Sequence, residues 1–168
     1  MICRRALVAT LLLTLAAGLG ACGDDDGDDT KVTTETTGGG QKTEGTAESL
    51  KARLSGAEEL PGPGVANGVG AVLVDVTATS GCYDLKVTMG EQPTKAHIHQ
   101  GAKGASGPVV VDLNPAFEPG ESSFNAKACV DLAADLAAKL LADPAAYYVN
   151  VHTEAHPDGA VRGQLEKF

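Results

Sequence analysis

Apolar residues return at every second position in two segments that hold three of the four histidines, and this alternation limits the fold more than any other feature. In Lys95-Ala96-His97-Ile98-His99-Gln100-Gly101, Ala96 and Ile98 share one face, so His97 and His99 share the other. In Tyr148-Val149-Asn150-Val151-His152-Thr153, Val149 and Val151 point one way and Tyr148, Asn150 and His152 the opposite way. A period of two is that of a strand buried on one side. Three histidines therefore stand on the polar faces of two strands, and adjacency of those strands would join them in one site. The fourth, His156, follows just past the second strand.

The same period extends over residues 48–168. Ser49–Leu60 reads as a first strand stopped by Pro61-Gly62-Pro63-Gly64. Val72, Val74 and Val76 alternate within Val65–Thr79, and Leu85 and Val87 oppose Asp84, Lys86 and Thr88 within Cys82–Met89, a hairpin or meander. Val109–Leu113 is another strand. Phe117–Cys129 is ambiguous, with Phe124 and Ala126 as inward candidates. Only Asp131–Asp143 has helical spacing, with Leu132, Leu136, Leu140 and Leu141 in a stripe, Pro144 at its end and Asp131 as an N-cap or first-turn acid. The last two strands, Ala146–Thr153 and Ala160–Lys167, flank a loop containing Pro157-Asp158-Gly159. Matching polar with polar across that hairpin favours pairing His152 with Arg162, Asn150 with Gln164, Val151 with Gly163 and Val149 with Leu165. The guanidinium would then favour a neutral His152. The fold class is all-β.

Upstream the sequence changes character. Residues 1–21 read as an export signal, with Arg4 and Arg5 before an apolar run too short for a comfortable membrane span. Leu19-Gly20-Ala21-Cys22 resembles a lipobox, making Cys22 the acylated first residue of a bacterial lipoprotein held outward-facing on the cell membrane. The alternative is an ordinary secretory signal with an incidental cysteine. Residues 22–47 then form an acidic tether with a charge of −5. Nearly devoid of apolar residues, it offers nothing to offset the entropy of ordering and would reach on the order of 25–30 Å.

The chain has 168 residues and a formal charge of −9, which argues against nucleic acid as a partner. An exported domain would keep Cys82 and Cys129, and two such cysteines most often form a disulfide; two free thiols are the alternative. No nucleophile elbow, paired carboxylates or phosphate-binding glycine loop stands out. His97, His99 and His152 could hold zinc or copper, with Asn150, Arg162 and Gln164 as supporting polar residues; alternatively they hydrogen-bond loops.

Several motifs together resemble the CHRD domain, named for chordin, a secreted antagonist of bone morphogenetic proteins. They are Leu54–Pro61; Ala96–Gly101 with Gly107-Pro108-Val109-Val110; and Tyr148–Thr153 with His156–Gly159 and Val161–Leu165. The family's tyrosine-like position before the last-loop proline is His156 here. The resemblance covers residues 49–168 and implies an antiparallel immunoglobulin-like β-sandwich, here with a short helix near 131–143, and no agreed catalytic activity. Copper/zinc superoxide dismutase is a fold-level analogy only, because four histidines cannot furnish both of its metal sites. Two functions follow as expectations. The first is a membrane-anchored binding or scaffold module facing an extracytoplasmic protein or envelope ligand. The second is a histidine-based metal-binding protein, with minor redox catalysis as its extension.

Overall fold

The computed structural model describes residues 46–168. The expected signal segment, the expected lipidation site Cys22 and nearly all of the expected acidic tether lie outside the described residues. The strands are β1 (Glu48–Ser55), β2 (Val69–Val76), β3 (Ser80–Thr88), β4 (Pro93–Gln100), β5 (Val109–Asp112), β6 (Glu118–Pro119), β7 (Ser123–Asp131), β8 (Tyr147–Thr153), β9 (Val161–Gln164) and β10 (Glu166–Lys167). All their pairings are antiparallel. They form one continuous sheet in the order β5-β4-β8-β9-β1-β2-β3-β7-β6, with β10 also on β1. Leu50, Val74 and Leu85 from one end of that order share a buried apolar cluster with Ile98, Val111 and Val149 from the other. A single sheet can bring these together only by curling on itself.

The β1–β2–β3–β7 half follows the expected alternation. Val72, Val74, Val76, Leu85 and Val87 are buried, as are Phe124 and Ala126 in the ambiguous segment. Strand β1 stops earlier than the spacing predicts, because Ser55 caps a turn of 3-10 helix at Gly56–Glu58 by accepting the Ala57 N–H. Cys82 and Cys129 are direct partners across β3 and β7 and form the disulfide, with Cα atoms 3.9 Å apart. Both lie on the outer side of the sheet.

Helix α1 spans Ala134–Ala142, a shorter element than predicted. Asp131 is neither its cap nor in its first turn: it ends β7, paired with Ser80, and the residue before the helix, Ala133, makes no side-chain cap. The ladder claims Asp131, and the Leu132 N–H bonds the Thr79 carbonyl, so the helix begins only at Ala134. Leu132 and Leu140 still bury against the core.

Strand β8 departs from the one-sided pattern. Every residue from Tyr147 to Thr153 is buried. Val149 and Val151 face the apolar core, while Tyr148, Asn150 and His152 face a second layer made of loops.

Candidate functional site: a loop-covered histidine face

Strands β4 and β8 are neighbours, with His97 opposite Asn150 and His99 opposite Tyr148. His97 and His152 are thus diagonal neighbours on one face, and His97 Nδ1 lies 3.0 Å from His152 Nε2. One ring nitrogen from each of His97, His99 and His152 falls within 4.8 Å of the others. The structure brings the three predicted residues together.

Backbone carbonyls fix two of the three rings. His152 Nδ1 donates to the Pro157 carbonyl at 3.0 Å, which leaves its Nε2 as an acceptor for the His97 Nδ1–H. His99 Nδ1 donates to the Gly107 carbonyl at 3.0 Å, and its Nε2 is buried without a partner among the described residues. The loop bond anticipated for an unmetallated histidine face is therefore present. Burial lowers the pKa of His152, against a smaller opposing effect of the Pro157 carbonyl. Burial also lowers that of His97, partly offset by Asp112, whose Oδ1 lies 3.9 Å from His97 Nε2. These two imidazoles are held toward the neutral form.

The β8–β9 register differs from the expected one by two residues. Arg162 faces Asn150, Gln164 faces Tyr148, Gly163 faces Val149 and Val161 faces Val151. Polar–polar matching restricts the pairing to even steps but cannot choose among them. The choice falls to the loop, where Ala160 N–H bonds the Val151 carbonyl and Thr153 N–H bonds the His156 carbonyl. Arg162 is accordingly not the partner of His152, and burial, not a neighbouring guanidinium, disfavours its imidazolium. Arg162 instead lies 3.5 Å over the Tyr148 ring and donates to the Ala105 carbonyl. Because β8 runs between β4 and β9, Tyr148 also stacks with His99, at 4.8 Å between ring centroids. Its hydroxyl accepts the Gly107 N–H, and Gln164 donates to the Gly101 carbonyl. Loop 101–108 is bound at four points by residues of the strand faces.

Glu59 has no role in the alternation argument, although it falls inside the Leu54–Pro61 motif. It is buried, faces Asn150, and is pushed up to about 7 by burial against the pull of Arg162. Gly159, at φ 149°, lies so close that a Cβ there would meet Glu59 Oε2 at 2.3 Å and Asn150 Nδ2 at 2.7 Å. Glycine is required at that approach. His156 belongs to a separate cluster, bonding Glu91 at 2.9 Å alongside Thr153. Salt bridge Lys103–Glu58 and the Ser106–Leu60 bond connect loop 101–108 to the turn after β1, so segments 56–64, 101–108 and 154–159 form one cluster. A cleft of about 150 Å³ opens between Glu59–Pro63 and Ala155–Gly159.

Neither the curated proteins nor the solved structures contain a match to this chain. The CHRD domain family model matches residues 50–165, from within β1 through β9 and including the whole histidine face; the chain belongs to the CHRD domain family.

Proposed function

We propose that this protein is an outward-facing, lipid-anchored binding module of the bacterial envelope, without catalysis of its own, whose recognition surface is the cluster of segments 56–64, 101–108 and 154–159. One observation carries the reading: buried and half-buried polar side chains of β4, β8 and β9 bond loop backbone, so the sheet holds its loops in a fixed shape. Preordered loops bind with less entropy loss than free ones. CHRD membership supports a binding or scaffold role. The lipobox at Leu19–Cys22 and the acidic segment that follows supply the anchor and spacer.

Two measurements on intact cells test this. Wild-type protein should partition with membranes and incorporate an alkynyl fatty acid, and Cys22→Ser should do neither. A photo-crosslinker at Lys103 should capture an envelope component that the same group at Lys86, on the opposite half of the sheet, does not. Equal capture at both positions, or none at Lys103, contradicts the recognition surface; an unlabelled wild-type protein contradicts the anchor. The convergence of three imidazoles favours a second reading for the same domain, the binding of zinc or copper.

A further inference from the structure

We propose that His97 Nδ1, His99 Nε2 and His152 Nε2 form a mononuclear tris-imidazole site for a divalent first-row transition ion, zinc or copper, in which the ion replaces the proton now shared by His97 and His152. This rests on the metal-binding reading and gives it a ligand set.

The chemistry of each nitrogen is fixed by what its ring already does. With Nδ1–H of His99 held by Gly107 and that of His152 held by Pro157, both Nε2 atoms are unprotonated, that of His152 accepting the His97 Nδ1–H and that of His99 having no partner among the described residues. A carbonyl partner on the far ring nitrogen is the usual outer-shell support of a metal-bound histidine, since it fixes both tautomer and ring orientation. His99 Nε2 is a buried acceptor with no donor among the described residues. Leaving such an atom unpaired costs free energy, and a cation would satisfy it. His97 supplies the third nitrogen. When its Nδ1 takes the ion, the ring proton moves to Nε2, on the side where Asp112 Oδ1 lies 3.9 Å away and can accept it.

The distances suit an ion after a small adjustment. Tetrahedral bonds of about 2.0–2.1 Å place ligand nitrogens roughly 3.3–3.4 Å apart. His97 Nδ1 and His152 Nε2 are 3.0 Å apart, and one nitrogen of each of the three rings lies within 4.8 Å of the others, so rotation of the half-buried His97 and His99 rings is the movement required. Local charge is mixed: Lys95 disfavours positive charge at His97 and His152, and Asp112 favours it at His97. The Arg162 guanidinium is committed to Tyr148 and the Ala105 carbonyl, and Lys95, opposite His152, is exposed to solvent. Three neutral nitrogens select zinc and copper over the oxygen-seeking magnesium and calcium, and they leave a fourth position open.

The test uses the full chain purified without a histidine tag. Calorimetric titration with Zn²⁺ should show one ion per chain, and the Cu²⁺ form should give an electron paramagnetic resonance spectrum with nitrogen coupling. His97→Gln and His99→Gln should each weaken Zn²⁺ binding by more than about 100-fold, beyond the loss expected for an outer-shell change. His156→Gln, in the separate cluster with Glu91, should bind as wild type does. Ring ¹⁵N shifts on zinc addition should assign the bonds to Nδ1 of His97 and Nε2 of the other two, independently of any variant's folding. Absence of stoichiometric binding in the wild type overturns both the site and the metal reading. Undiminished binding in folded His99→Gln, or a different set of shifted nitrogens, overturns this ligand set while leaving metal binding to other groups.

Discussion

The two halves of the curled sheet share one apolar core and differ in what covers their backs. On β1, β3 and β7 outward residues meet water: Arg53, Asp84, Lys86 and Lys127 are all exposed. On β8 and β9 the corresponding positions hold Tyr148, Asn150, His152 and Arg162, and each is buried under loops. Alternation looks the same in β1, β3 and β7 as in β8, because polar residues occupy most outward positions in each. The difference is that a solvated polar residue is interchangeable, whereas a buried one must have its partners built. One half is a wall and the other is a clamp.

Arg162 gives the largest expected contrast. Arg162→Ala removes a buried cation that covers Tyr148 and binds the Ala105 carbonyl, and should cost about 3–5 kcal/mol through loss of a charge-assisted hydrogen bond and a desolvated cation–π contact. Lys86→Ala, on the exposed back of β3, should stay within about 0.5 kcal/mol. Urea unfolding of the two variants decides it, and similar small costs would erase the distinction between the halves.

The wall should depend instead on its covalent link. Replacing Cys82 and Cys129 together by serine opens a bridge with a sequence separation of 47, which should cost about 3–4 kcal/mol on the chain-entropy model. Equilibrium unfolding of the double variant measures this. An unchanged midpoint would mean that the β3–β7 ladder holds without the bridge.

A smaller effect separates the halves by pH. Glu59 has its folded pKa raised from 4.5 to about 7, so the folded protein binds this proton more tightly than the unfolded chain. Its contribution is therefore fully present below about pH 4.5 and is lost as pH rises through 7. Glu59→Gln should flatten that slope and gain on the wild type between pH 5 and 8 by on the order of 2 kcal/mol. Parallel stability–pH curves for the two proteins would show that Glu59 titrates normally.

Much of this was legible in the residues. Period-two spacing located the histidine strands and placed His97, His99 and His152 on their polar faces, with adjacency of the strands left to join them, and counting cysteines in an exported domain favoured the Cys82–Cys129 pair. What escaped was decided by contacts between distant segments. The two-residue offset that puts Arg162 opposite Asn150 comes from the way loop 154–160 closes, and parity alone cannot see it. The late start of α1 follows from Asp131 pairing with Ser80. Glu59 stands beside Glu58 in the sequence with nothing local to mark it as buried, and Asn150 and Gly159 pack on it from 90 residues or more away. A strand buried by the core on one face and by loops on the other has no signature in its own period.

Hydrogen exchange at loop 101–108 tests the clamp most directly. The Gly101 amide bonds the Ala146 carbonyl and the Gly107 amide bonds the Tyr148 hydroxyl, so both should be protected like amides of the neighbouring strands, far beyond Glu121 in the exposed β6–β7 turn. Arg162→Ala should release the Gly107 amide before the strands open. Wild-type Gly107 exchanging as fast as Glu121 would contradict the account, because the buried polar face would then hold nothing in place.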